Sequence, residues 1–270
     1  MLKGLPPPRA PIGLEPLRDA AGAAALGSAD SMIVAIHQPH FLPWLGYLHR
    51  MAQVDLFVLL DHVQFERRNY QNRTMIRMDG ETRWLTVPVV QNSQKERIVD
   101  KQVDNRLDGT KWWSPNHFLT LKHAYREAGF FNAYAAEMKR LFDTRWERLV
   151  DLNQVALDLL RDVFGIRTPL ARSSELAVEG ARGDLILGIC RAVGARTLLA
   201  GFGGSRGYLD EQAFAREGVA IQFHQFVHPE YPQCGPQPFV KGLSAIDLLF
   251  NCGPRSSELL LGRTPVAKAA

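Results

Sequence analysis

IVAIHQPHFLPWLGYLHRMAQVDLFVLLDHVQFERRNYQNR, residues 33–73, sets two apolar runs on either side of a helix-length segment. Ile33 to Ile36 reads as a buried strand, Pro43 to about Gln53 as an amphipathic helix and Leu56 to Leu60 as a second strand. Pro43 suits a first helical turn, where its missing amide donor costs nothing. The pattern is strand, helix, strand, the unit from which parallel sheets are built. Such sheets bind ligands beyond the carboxyl ends of their strands. Function is therefore sought where this unit places polar residues: His37, Gln38 and His40 after the first strand, and Asp61 to Arg73 after the second.

Further along, Thr197 to Ala200 and Val219 to Phe223 read as two more strands, and Asp184 to Val193 and a segment ending at Phe214 to Glu217 as helices. Four candidate parallel strands follow. The fold expected is α/β, a mostly parallel Rossmann-like sheet with flanking helices. Between its two halves, Ser114 to Ala128, Phe131 to Phe142 and Trp146 to Phe164 have helical periodicity, which predicts a helical insertion or cap over about 112–165. Arg83 to Val90 alternates and predicts a strand, antiparallel to a neighbour through a turn at Met78 to Gly80. Residues 1–31, rich in Pro, Ala and Gly, read as a disordered or non-native extension ahead of a single domain over 32–263.

Composition narrows the function classes. The chain has 270 residues, 46% hydrophobic, with 32 Lys and Arg against 28 Asp and Glu. A net charge of +4 suits a small anionic or phosphorylated substrate better than long nucleic acid. Cys190, Cys234 and Cys252 are odd in number and form no C-x-x-C pair, which argues against a disulfide framework or structural zinc and for the cytosol. No apolar run approaches the roughly 20 residues that cross a bilayer. No metal site is expected.

Candidate site residues follow from these strand ends. Arginine matches phosphate or carboxylate oxygens with paired donors, which singles out Arg67, Arg68 and Arg73, with Gln64 and Asn72 beside them. The Gly-rich run GFGGSRGYLD offers backbone amides at Gly201, Gly203 and Gly204, followed by Tyr208 and Asp210 as partners for a ligand hydroxyl. It lacks the P-loop Gly-Lys-Ser or Gly-Lys-Thr and the G-x-G-x-x-G spacing. Tight turns need glycine too, so both readings stand. His228 and Tyr231 sit in an HPEYP turn. Ser244, Asp247 and Asn251 align on one face of a helix from Leu243 to Asn251, and a buried Asp247 would need a partner such as Arg73 or a histidine. Cys252, beside apolar residues, reads as a small buried hydrophobe.

Several of these strings carry a family resemblance. HQPHFLPWLGY, DLFVLLDHVQFERRNYQNR, WLTVPV (84–89), GFGGSRGYLD (201–210), HPEYPQ (228–233) and LSAIDLLFNCG (243–253) occur in the order seen in the WbqC-like proteins. These are bacterial proteins found with genes for surface polysaccharide and some small natural products. The resemblance spans Met32 to about Leu261, with Tyr70 where the pattern leads to Trp.

The resemblance implies a biosynthetic role but no settled reaction. The reading preferred is an enzyme that transfers an acyl or aminoacyl group to an activated amino sugar or similar amine. His37 would be general base, alone or with His228, with Gln38 and Asp61 orienting the acceptor. The arginines would bind phosphate or carboxylate, a nucleotide sugar being the type of substrate. No cofactor motif is evident, and ATP or another activated donor is compatible with the sequence. One alternative is adenylyl transfer through His37-Gln38-Pro39-His40, by analogy with H-x-G-H loops that stabilise charge on ATP phosphates. The other is a non-catalytic accessory protein binding a glycan or a partner enzyme.

Overall fold

The computed structural model describes residues 31–106, 113–201, 203, 207–235 and 238–262. The chain folds as two compact units. The first comprises residues up to Gln38, Arg50–His62 and Arg167–Phe226; the second comprises Pro39–His49, Val63–Ile166 and the remainder from Val227.

The first unit holds a five-stranded parallel sheet: β1 (Ile33–His37), β2 (Leu56–Leu59), β5 (Leu170–Arg172), β6 (Thr197–Ala200) and β7 (Ala220–Phe223), in spatial order β5-β2-β1-β6-β7. All four adjacent pairings are parallel. The first strand lies in the middle, with later strands added to one side and then to the other. That is the Rossmann order, and its switch point falls between the carboxyl ends of β1 and β6. β2 is buried along its whole length, as expected of a strand covered on both faces.

Four parallel strands were expected and five are present. The missing one, β5, is a three-residue edge strand with only partly buried side chains, too short for any periodicity to register. The helix α5 (Arg182–Val193) ends as its sequence foretells, on Gly194 at φ 75°, a left-handed cap. Helix α6 (Glu211–Arg216) precedes β7.

The second unit contains the antiparallel hairpin β3 (Arg73–Met78) and β4 (Glu81–Thr86), helices α2 (Trp113–Ala124), α3 (Phe131–Asp143) and α4 (Leu149–Phe164), and the carboxyl-terminal α7 (Ala245–Cys252) and α8 (Ser256–Leu261). Asp79 and Gly80, both at positive φ (53° and 82°), close the hairpin between Met78 and Glu81, a two-residue turn whose twist matches its strands. The helical segment between the hairpin and β5 thus forms as three helices. Its core is aromatic: Tyr125 and Phe131 meet the Phe250 ring edge-on at 5.0 and 5.1 Å, and Phe41 meets Phe142 at 6.5 Å.

Helix α1 (Leu45–Met51) starts later than the sequence suggests. Pro43 lies ahead of it and not in its first turn, because the Pro43 carbonyl accepts a hydrogen bond from Ala245 N and Trp44 makes an isolated bridge to Ser244. Among the described residues, no helix is long and apolar enough to cross a membrane.

Candidate functional site

The second unit carries a cavity of about 380 Å³ lined by Phe65, Arg67, Arg68, Asn72, Arg73 and residues 86–89 and 91. Four of the residues singled out in the sequence meet there. The loop that presents them is tied to itself: Glu66 N donates to Gln71 Oε1 (3.0 Å), Asn69 Nδ2 to Glu66 Oε2 (2.7 Å) and Tyr70 N to Asn69 Oδ1 (2.6 Å). Arg68 sits at φ 62°, a conformation that non-glycine residues adopt at some cost and that recurs at functional loops. Its carbonyl accepts from Arg73 Nη2.

Arg73 is held over the face of Trp84, 3.9 Å from the ring centre, while its buried Nε makes no hydrogen bond among the described residues. Asn72 is pinned by donation from Nδ2 to the Val87 carbonyl at 2.8 Å, and its buried Oδ1 likewise accepts nothing. A cavity edge with a waiting cationic donor and a waiting acceptor is suited to a ligand bearing an anion and an N–H or O–H group. Trp84, which orients Arg73, was not singled out. Its signal was the alternation of the strand that carries it.

The other sequence candidates are placed elsewhere. Gln64 is exposed and donates to the Gln94 carbonyl at 2.7 Å, outside the cavity lining. His40 is buried between Tyr47 and Tyr70, its ring stacked at 5.1 and 5.4 Å from theirs. In the first unit, His37 Nδ1 lies 2.9 Å from the Gln38 carbonyl, which assigns the Nδ1–H tautomer and puts the basic lone pair on Nε2. Gly201 follows β6, and a Cβ there would come 2.5 Å from Nη1 of the buried Arg50, so a larger residue would have to displace that guanidinium. Gly203 is exposed, and Gly204 lies outside the described residues.

Asp61 ends in a clamp between strands. Its Oδ1 accepts from Ser174 N (2.9 Å) and Ser173 Oγ (3.1 Å), and its Oδ2 from Ser174 Oγ (2.8 Å). Ser173 Oγ in turn accepts from Asp61 N at 3.0 Å and lies 2.6 Å from His62 Nδ1. The clamp fastens the carboxyl end of β2 to that of its neighbour β5. Ser173 and Ser174 were invisible in the sequence because β5 was.

Three more expectations change. Asp210 is the N-cap of α6, its carboxylate accepting from Gln212 N and Ala213 N, so it is occupied by its own helix. Tyr208 stands 40% exposed just before it. His228 Nδ1 pairs with the Pro229 carbonyl, and its Nε2 accepts from Gly242 N at 3.2 Å, which engages the lone pair a base would use. Burial, foremost, lowers its pKa.

Asp247 is buried at 1% exposure, and its partners are not Arg73 or a histidine. Tyr231 Oη and Gln233 Nε2 donate to Oδ2, each at 2.8 Å. Asn251 pins the same turn by accepting from Cys234 N (2.8 Å), and Ser244 Oγ donates to the carbonyl of Leu42, which Thr74 Oγ1 also reaches. Leu42 needs holding, since its φ is 43°. The polar stripe of α7 therefore faces inward and fastens loops. Cys252 is buried, and burial raises its thiol pKa.

Strand order, parallel pairing and flanking helices define an α/β protein with a Rossmann-like sheet. Within that class the chain belongs to the WbqC-like protein family, whose model matches residues 38–259. It is 29% identical over 231 residues to the uncharacterized protein Rv1507c of Mycobacterium tuberculosis (strain ATCC 25618 / H37Rv), a match covering 84% of this chain and 96% of that protein. No solved structure matches the chain.

Proposed function

We propose that this WbqC-like chain is a cytosolic group transferase of surface-glycan or natural-product assembly. It holds a phosphate-bearing sugar, typically a nucleotide sugar, in the arginine cavity and delivers an acyl or aminoacyl group to an amine. One observation carries the reading: Arg67, Arg68 and Arg73 line a single cavity whose volume falls in the range of small-molecule sites, with unmet hydrogen-bonding groups on Arg73 and Asn72. Phe65, Val87 and Pro88 supply the apolar wall that such sites also need.

In acyl transfer the amine nitrogen bonds to the acyl carbon, that carbon's bond to the activated donor breaks with the electron pair going to the donor's leaving group, and the amine gives up a proton. His228 is not assigned a proton, because Gly242 N–H engages its Nε2. The adenylyl-transfer reading is disfavoured by His40, since a ring buried between two tyrosines is not presented to phosphates.

Calorimetric titration with UDP-N-acetylglucosamine and with pyrophosphate tests the binding half. Both should bind, and Arg73→Ala should weaken each by about tenfold or more, the cost of one charge-assisted contact. Unchanged binding in Arg68→Ala and Arg73→Ala alike would sink the proposal. ATP binding lost in His37→Ala would transfer support to adenylyl transfer, and silence across the panel to the accessory-protein reading.

A further inference from the structure

A second cleft in the same unit is left unexplained by that reading. Arg77, Asp79, His123, Ala124, Arg126, Glu127, Cys234 and Gly235 line much of it, and its volume is about 130 Å³. Arg77 is 5% exposed. Its Nη1 donates to Gln233 Oε1 at 3.3 Å, and its buried Nε donates to nothing among the described residues. Arg77 is thus a buried guanidinium on the wall of an open space, with a donor that no acceptor among the described residues meets, which suits an anion.

We propose that this cleft is a ligand site distinct from the arginine cavity, and that it takes a small carboxylate. Size and charge both select that class. At about 130 Å³ the cleft is too small for a nucleotide or a sugar phosphate, whereas a two- or three-carbon acid fits. The other basic groups on the rim already have partners: His123 Nε2 lies 3.2 Å from Asp79 Oδ1, and Arg126 Nη2 lies 3.5 Å from Glu127 Oε1. Arg77, on the cleft wall, has the buried Asp247 of α7 as a charge partner and still keeps Nε without an acceptor among the described residues. With Asp79 and Glu127 offsetting the rim charge, a doubly charged phosphate gains less here than a planar monoanion, which matches a guanidinium edge with two parallel hydrogen bonds. The same rim carboxylates would favour an ammonium group on the ligand, as in a small amino acid. Ala124 and Gly235 keep the space open, and a Cβ added at Gly235 meets nothing within 4 Å.

The test is calorimetric titration of the full chain with acetate, glycine and inorganic phosphate. Acetate or glycine should bind saturably, and phosphate at least tenfold more weakly. Glycine binding more tightly than acetate would identify an amino acid as the ligand, and equal binding a simple acid. Arg77→Lys, which keeps the charge but loses the fork, should weaken binding tenfold or more. Ala124→Leu, which fills the cleft without touching the guanidinium, should abolish it and keeps the test decisive if Arg77→Lys does not fold. No saturable heat from either carboxylate, a preference for phosphate, or carboxylate binding unchanged in Ala124→Leu would overturn the proposal. The last outcome would place the anion in the arginine cavity instead, leaving the transferase reading untouched.

Discussion

Asp61, at the end of the apolar run of β2 in the first unit, and Asp247, within the apolar helix α7 of the second, are both buried carboxylates, yet they are held in different ways. Asp61 accepts three hydrogen bonds across both oxygens, one from a backbone amide and two from serine hydroxyls. Asp247 accepts from a phenol and an amide, both on Oδ2, and burial raises its pKa above the ordinary value near 3.8 even with Tyr231, Tyr125, Gln233 and Arg77 opposing. A carboxylate at the carboxyl end of a strand can recruit donors from the neighbouring strand's loop, which the sheet itself positions. One on a helix face must wait for a separate loop to reach it. The first is a fastening for which charge is useful; the second is closer to a tolerated charge.

The sharpest way to break that comparison is to neutralise each residue without changing its shape. Asp61→Asn places an amide donor against the donors of Ser173 and Ser174 and should cost about 3 kcal/mol in urea unfolding of the full chain. Asp247→Asn keeps an acceptor for Tyr231 and Gln233 and relieves the buried charge, so its cost at neutral pH should be under about 1 kcal/mol. Equal losses would mean that both carboxylates act as clamps. The pH dependence gives the sign independently. A carboxyl whose folded pKa is raised binds its proton more tightly when folded, so stability falls as pH rises from about 4 through the higher folded pKa. Wild type should therefore lose stability relative to Asp247→Asn over that rise.

Removing a donor should matter less than misplacing one. Tyr231→Phe removes one of the two hydrogen bonds on Asp247 Oδ2, leaving Gln233 there with Tyr125 nearby, and should cost about 1–2 kcal/mol, again read by urea unfolding. A smaller effect is expected at His117, on α2 in the second unit. Burial against Trp113 and Phe142 lowers its pKa to about 4, although its Nε2 lies 2.9 Å from the Thr86 carbonyl. A histidine whose pKa is depressed on folding is favoured neutral, so stability is lost as pH falls from about 6.5 through 4. His117→Gln should flatten the thermal-melt profile across that interval, and an unchanged slope would show that the ring is solvated in solution.

The same contrast explains what could be read without coordinates. The first unit was legible because its strands are apolar runs of four or five residues with helices between, and because glycine caps such as Gly194 punctuate them. β5 was not legible, and with it went Ser173, Ser174 and hence the true surroundings of Asp61. In the second unit the arginine cluster was legible from composition, and the structure gathers Arg67, Arg68 and Arg73 with Asn72 around one cavity. The partners of Asp247 were not, because Tyr231 and Gln233 arrive from a loop whose path no local periodicity encodes. His40 looked functional for a related reason: a histidine beside a strand end reads alike whether it faces a ligand or two tyrosines.

The smallest effect sharpens the comparison at a residue read from sequence as a ligand partner. Asp210 gives one oxygen to two backbone amides, Gln212 N at 3.0 Å and Ala213 N at 3.1 Å, at the start of a six-residue helix. If capping is its role, Asp210→Asn should be nearly neutral, since asparagine caps as well, whereas Asp210→Ala should cost about 1 kcal/mol. A ligand-binding role would reverse the diagnostic. Asp210→Asn would then leave the urea midpoint in place while weakening the binding of UDP-N-acetylglucosamine. Measuring midpoint and binding on the same two variants separates the roles, because a cap moves only stability through the loss of its acceptor, and a ligand partner moves binding through the loss of its charge.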